Sequence, residues 1–377
     1  MKFCYVLVRR CVPALASLLL VLGVPLASAH HPLSAKFDMT SSRELTGIVT
    51  YVDWRNPHAH IYLNVASAGK TENWAVELES PILLKAGGWH VDSLQPGDAI
   101  HVSGPVARDG SRQLWGDVVT ATGTGHRLFT VADLRPPAPL DPRPAPRWPD
   151  GHVALGGIPG GSGGYWSFPS EPALVEEGAA VAFNDEGLLL NLADASAVAP
   201  LQDWALALYR FRQQRQLRDD PMFLNCKPPG GPRQYQSNLG FQLIEDLEKQ
   251  RVFVLMGSGN HNYRTIYLDG REQQGQVRGD DDNPLYYGRS VGHWEGDTLV
   301  ASTTDFNEDF WFSNGGLPHT SRLVLTERFS RPDMETLRYE VTVDDPGAYT
   351  RPWTAGWTLQ WVGGEELPVH FCQNNRQ

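Results

Sequence analysis

The chain has 377 residues, with 37 Gly, 28 Pro, 12 Trp and a formal net charge of -11. An acidic surface disfavours nucleic acid and anionic lipid, since binding either requires a positive patch. The length exceeds what one small core organises, so two domains are expected, and the Gly and Pro content implies many turns and a mainly β body.

Residues 1–29 carry Lys2, Arg9 and Arg10 and no acidic residue, then the apolar run VPALASLLLVLGVPL, then Ala27-Ser28-Ala29. This is the layout of a secretory signal peptide cleaved after Ala29, which places the mature chain in the periplasm or outside the cell. A retained N-terminal anchor is the alternative. The apolar run is shorter than the roughly 20 residues a spanning helix needs, and no later run approaches that length, so stable membrane insertion is not expected. Losing three positive and no negative side chains takes the charge from -11 to -14. Cys4 and Cys11 leave with the signal, and Cys226 and Cys372 are read as one disulfide, with a reactive thiol as the alternative.

Residues 30–131 are expected to form a small OB-like domain. ELTGIVTYVDW, NPHAHIYLNV, NWAVELE, GDAIHVSGPV and LWGDVVTAT read as five strands, with a helix at SPILLKAGGW between the third and fourth. Residues 132–199, which include LRPPAPLDPRPAPRWPDG and GGIPGGSGGYW, read as a Pro/Gly-rich linker over the surface. A helix is expected over 200–217, with Trp204, Leu206, Leu208, Tyr209 and Phe211 as its apolar face. From about residue 240 strand signals return, with tight turns at EGD and PDMET. Roughly eight antiparallel strands and many aromatics predict a lipocalin-like closed barrel or curved sandwich enclosing a cavity, within a domain spanning 200–377.

AHHPLSAKFD, LTGIVTYVDWRNPHAHIYLNV, NWAVELESP and LQPGDAIHVSG together resemble a family of small secreted bacterial β-barrel proteins of unknown function, over about residues 29–130. The strings AHHS, WxNPHA and W-x-x-E-x-x-S-P mark that family. NHNYRTIYLDGR, SVGHWEGDTLVASTTDFN, LPHTSRLVLTERF and YEVTVDDPGAYTRPW resemble a domain of uncharacterised exported proteins of proteobacteria and acidobacteria. The resemblance implies export and the domain layout, and no chemistry.

Three readings follow from the residues. In the first, Tyr263, Tyr267, Trp294, Trp353 and Trp357 line a cavity in the second barrel that binds a small apolar or aromatic molecule. In the second, His261 and His319 with Glu295 serve there as acid and base for elimination, isomerisation or hydrolysis. In the third, cleavage after Ala29 frees the amine of His30, which with His58 and His60 forms a nitrogen-ligand site suited to copper and also to zinc. The plain alternative for His58 and His60 is a turn and a solvent-facing ring. Asp269-Gly270 and Asp345-Pro346 read as turn formers, Glu327-Arg328 as an ordinary strand-face pair, and Asp280-Asp281-Asp282-Asn283 as a solvated loop without Ca-loop spacing. No nucleophile-elbow, zincin, phosphate-loop or dinucleotide motif occurs. Ligand identity, any reaction and the oligomeric state are not legible.

Overall fold

The computed structural model describes residues 33–55, 58–123, 125, 127–130, 143–157, 160–161, 163–237, 239–258, 262–271 and 285–368. They form two closed β-barrels. After a four-residue helix α1 (Leu33–Lys36), the first barrel uses β1 (Phe37–Asp53), β2 (His60–Ser67), β3 (Lys70–Glu77), β4 (Ala99–Ala107) and β5 (Gln113–Trp115), with β6 (Val118–Ala121) and β7 (Arg127–Thr130) extending the sheet. The order β1-β2-β3-β5-β4 closes because β1 pairs with both β2 and β4. β3 and β5 run parallel, and helix α2 (Pro81–Ala86) lies between β3 and β4 in the chain. This is the expected OB-like arrangement.

Period-two alternation drives it. Leu45 and Val49 on β1, Ile61, Leu63 and Val65 on β2, and Trp74 and Val76 on β3 point into one core. Helix α2 starts where the sequence says it should, because Ser80 caps it by accepting from Leu83 N and Pro81 has no N–H to satisfy.

The second barrel has nine strands: β8 (Gly164–Ser167), β9 (Phe241–Asp246), β10 (Arg251–Met256), β11 (Tyr263–Tyr267), β12 (Arg289–Glu295), β13 (Thr298–Thr304), β14 (Val324–Ser330), β15 (Thr336–Asp344) and β16 (Trp353–Gly363). Neighbours are antiparallel except β11 and β12, and β8 closes the ring between β16 and β9. The segment expected to be a linker therefore supplies a barrel strand. Val153, Leu155, Tyr165, Trp166 and Leu174 are all buried, so the Gly- and Pro-rich composition marks a segment with many bends that still carries core side chains. Arg331, the residue after β14 (Val324–Ser330), reinforces this contact, donating to Ala154 O and Gly156 O while stacked between Trp166 and Trp361.

Helix α3 (Asp203–Gln214) forms inside the expected span, but it buries Ala205, Tyr209 and Gln213, whereas Trp204 and Phe211 are exposed. Spacing at i, i+4, i+8 selects the face, and the two bulky aromatics lie off it. Helix α4 (Pro221–Asn225) follows, capped by Asp220.

A single helical turn, Gly231–Tyr235, plugs the second barrel. Gly231 has φ +59, and a side chain at Gly230 would meet Tyr286 O at 2.3 Å, so the Gly-Gly pair admits a turn that bulkier residues would block. Tyr235 enters the interior and packs its ring 4.8 Å from Phe241, 5.4 Å from Phe329 and 4.7 Å from Tyr339. Among the described residues, no helix is long and apolar enough to cross a membrane.

Candidate functional site

The second barrel's interior carries a buried ion pair rather than an open ligand chamber. Arg264 donates to Glu327 through both terminal nitrogens, to Ser290 Oγ at 2.8 Å, Tyr235 Oη at 2.8 Å and Thr303 Oγ1 at 2.6 Å. Glu327 also accepts from Tyr339 Oη at 2.9 Å and Thr303 Oγ1 at 3.2 Å. All five guanidinium donors are used, as a buried charge pair requires. Glu327 is thus no strand-face partner of Arg328. Alternation along β14 sends Glu327 inward with Leu325 and Phe329 and leaves Arg328 to bind Glu295 on the outside.

The residues expected to line that barrel divide by strand parity. Arg264 and Ile266 take the inward positions of β11, so Tyr263 and Tyr267 face out. Tyr263 is 62 % exposed against Phe253, and Tyr267 stacks under Arg271. Trp353 and Trp357 do point inward, but against Tyr349 and Tyr339 at 5.3 and 4.7 Å, and their indole N–H groups lack partners. Trp294 packs at the rim, 5.0 Å from His152.

The expected acid–base pair does not assemble. Glu295 is exposed and held by Arg328 and His293 at the β12–β13 turn, while His319 is buried in the connection beyond the far end of β13. Seven residues of β13 separate the two ends by roughly 20 Å. His319 stacks 4.3 Å from Phe310 and donates through Nε2 to Asn307 O, and burial lowers its pKa. His261 lies outside the described residues, as do Asp280 to Asn283. Asp269 and Asp345 accept from the backbone N–H two residues on, as turn formers do.

His58 and His60 are brought together, around Glu77. His58 Nδ1 donates to Leu78 O and His60 Nδ1 to His58 O, since a carbonyl only accepts. Glu77 lies 4.0 Å from His58 Nδ1, 3.6 Å from His60 Nε2 and 2.7 Å from Lys36 Nζ. His30 lies outside the described residues, and among those described no group of three or more His, Cys, Asp or Glu is placed to hold a metal ion. Cys226 ends α4 in a left-handed conformation; its expected partner Cys372 is likewise outside the described residues.

A half-open cavity of about 220 Å³ with mixed acidic, polar and apolar lining lies between the barrels. The first barrel contributes His58 from the β1–β2 connection, Glu79 and Ser80 from the β3–α2 junction, Leu83 from α2 and Leu33 from α1. The second contributes Glu186, Met222, Phe223, Arg233, Gln236 and Ser258 among others. Direct bonds hold the walls together: Ser34 N donates to both carboxylate oxygens of Glu186, and Arg108 bridges Ser34 O and Gln216 Oε1 at 2.9 Å each.

Two features mark this cavity. The first is its acidity. Burial, with Asp185, Glu77 and Glu186 nearby, pushes the Glu79 carboxyl up to about 7, and burial raises Glu186 as well. Burial outweighs the pull of Glu77 and lowers His58, keeping it neutral at physiological pH. Arg233 adds no free positive charge, because Asp220 holds it bidentately and Asn314 takes its Nε. The second feature is unmet hydrogen bonding. Gln236 is 5 % exposed and Ser258 fully buried, yet neither amide atom of Gln236 nor the Ser258 hydroxyl has a partner. Such groups normally find one, and these belong to the lining of a cleft.

The strings that carried the family resemblance converge here. WxNPHA supplies His58 and W-x-x-E-x-x-S-P supplies Ser80, with Glu79 just before it, while the Glu77 of that string lies outside the lining and pairs with Lys36. The sequence marked these residues by string alone. Glu79, Gln236 and Ser258 were missed because nothing local says that two barrels will close over them. A family of unknown function (DUF6152) matches residues 18–115, and that is what this part of the chain is similar to. No curated protein and no solved structure matches.

Proposed function

We propose that this is an exported small-molecule-binding protein whose ligand occupies the cavity between the barrels rather than the interior of the second. The observation that carries this reading is the pair of buried, unpartnered side chains, Gln236 and Ser258, in the lining of one half-open cleft. Leaving such groups unsatisfied costs about 1–3 kcal/mol each, and a ligand supplying the missing bonds recovers it. The volume is below the 300–1,000 Å³ of drug-sized sites, so the ligand is small, and Leu33, Leu83, Met222 and Phe223 give it an apolar surface to rest on.

Cyclohexylmethanol, which has one hydroxyl and an apolar ring, tests this by ligand-observed NMR. Binding to the wild type and loss of binding in Leu239→Trp, which fills the cavity, is the expected result. Equal binding to both proteins would place the probe elsewhere and overturn the reading.

Acid–base catalysis in the same cavity is the second reading, favoured by a carboxyl near 7 beside a neutral imidazole. It predicts hydrolysis of 4-nitrophenyl acetate above the buffer rate, lost in Glu79→Gln. Hydrolysis unchanged by that substitution would count against it.

The signal peptide, periplasmic or secreted location, Cys226–Cys372 disulfide and kinship of the second barrel with an exported-protein domain belong to this proposal. The mature charge of -14 supports the lack of a nucleic-acid partner. Intact mass of the exported protein, with and without reductant, reads cleavage after Ala29 and the disulfide together. A genuine N-terminus also permits the copper test, in which His58→Ala with His60→Ala should abolish stoichiometric uptake if His30 completes the site.

A further inference from the structure

We infer that the cavity selects a ligand carrying a protonated amine next to its apolar body, with the amine directed to Glu79 and Glu186 and a hydrogen-bonding group toward Gln236 and Ser258. This deepens the proposed function and rests on it.

Carboxyl groups and unmet amide and hydroxyl groups line the same cavity. The carboxylates come from the β3–α2 junction and from the turn at 184–187, where Asn184 Oδ1 accepts from Glu186 N and Leu188 N and so fixes the turn that presents Glu186. Among the described residues, neither Glu79 nor Glu186 has a Lys or Arg within ion-pair distance. Lys36 is engaged with Glu77, Arg233 with Asp220, and Arg108 bonds Ser34 and Gln216. Burial, together with Asp185, raises the cost of ionising both carboxyls in this space, and Glu186 adds to it at Glu79. A cation entering that space removes the repulsion, whereas an anion adds to it.

The rest of the lining argues against a bare metal ion. Gln236 and Ser258 offer one amide and one hydroxyl beside Phe223, Met222 and Leu239, and no group of three acidic or imidazole ligands is in place among the described residues. An organic cation with an apolar body matches this lining, because its ring or chain covers the apolar side chains while its polar groups meet the carboxyls and the unpartnered amide and hydroxyl.

The test compares three nearly isosteric probes, cyclohexylmethylamine, cyclohexylmethanol and cyclohexanecarboxylate, by calorimetry or ligand-observed NMR on the whole mature chain at neutral pH. The amine is expected to bind about tenfold tighter than the alcohol, the carboxylate more weakly than either. In Glu79→Gln combined with Glu186→Gln the amine should fall to the affinity of the alcohol. The alcohol should still bind, which shows that the variant is folded, and the ratio of amine to alcohol affinity is the readout. If the alcohol equals or exceeds the amine in the wild type, or if the amine preference survives in the double variant, the cation preference is wrong while the cavity reading stands. If none of the three binds, both are wrong. Amine binding that persists in Leu239→Trp would place it outside the cavity and overturn the inference.

Discussion

The interior of the second barrel and the cavity between the barrels bury polar side chains on opposite terms. Around Arg264 and Glu327 every strong donor and acceptor is met by another protein group. Around Gln236 and Ser258 nothing meets them, and carboxylates collect without cations. A saturated cluster has no capacity left for a ligand and is part of how the barrel holds its plug. An unsaturated one costs stability in the empty protein, which makes sense where something else completes it. The indole N–H groups of Trp353 and Trp357 also lack partners, and their rings pack against Tyr349 and Tyr339, so an orphan donor signals a site only in company with other features, here the uncompensated carboxylates.

The largest effect should come from breaking the saturated cluster. Arg264→Met leaves Glu327 buried without its partner and should cost about 3–5 kcal/mol, read as a lowered denaturant midpoint of the second barrel. Replacing both partners, Arg264→Met with Glu327→Leu, removes the stranded charge and should restore much of that loss. A double variant no better than the single one would mean that the pair contributes more than mutual neutralisation.

Glu79 should behave in the opposite way, because its charged form is the disfavoured one. Its folded-state pKa of about 7 lies above the ordinary 4.5, so the folded protein holds this proton more tightly than the unfolded chain. The penalty is absent below about 4.5, grows as pH rises toward 7 and is constant above it, reaching at most about 3 kcal/mol. Glu79→Gln should therefore be more stable than the wild type at alkaline pH and match it in acid. Parallel stability–pH curves for the two proteins would show that Glu79 ionises normally.

How legible this contrast was depended on distance along the chain. The first barrel could be read strand by strand, since its alternation, its Ser80-Pro81 helix start and its short turns are local. The second barrel's closure was legible in outline, yet β8 was hidden in a Gly- and Pro-rich segment because four residues, Gly164–Ser167, are too few to show a period. Parity gave the shared face of Tyr263 and Tyr267 but not which face was inside; that depends on Arg264 finding Glu327 63 positions away. Side-chain chemistry suggested a His–carboxylate pair in Glu295 and His319, and only the direction of β13 shows that they lie at opposite ends. The cavity was the least legible feature, since its walls come from barrels more than 100 residues apart and its marks are missing hydrogen bonds.

The smallest expected effects decide the comparison most directly, because they remove one hydroxyl from each region. Thr303 Oγ1 accepts from Arg264 and donates to Glu327, so Thr303→Val should cost about 1–3 kcal/mol by leaving charged groups short of a partner. Ser258 Oγ is equally buried but bonds to nothing, so Ser258→Ala should be neutral or stabilising by up to about 1 kcal/mol in the empty protein. With cyclohexylmethanol present that gain should shrink, because the wild type recovers a hydrogen bond that the alanine variant cannot make. If Ser258→Ala is as damaging as Thr303→Val, then Ser258 is satisfied in solution and the two regions do not differ in kind. A neutral Ser258→Ala together with weakened alcohol binding would instead tie the unmet hydroxyl to the ligand, which is the property that separates a binding site from a core.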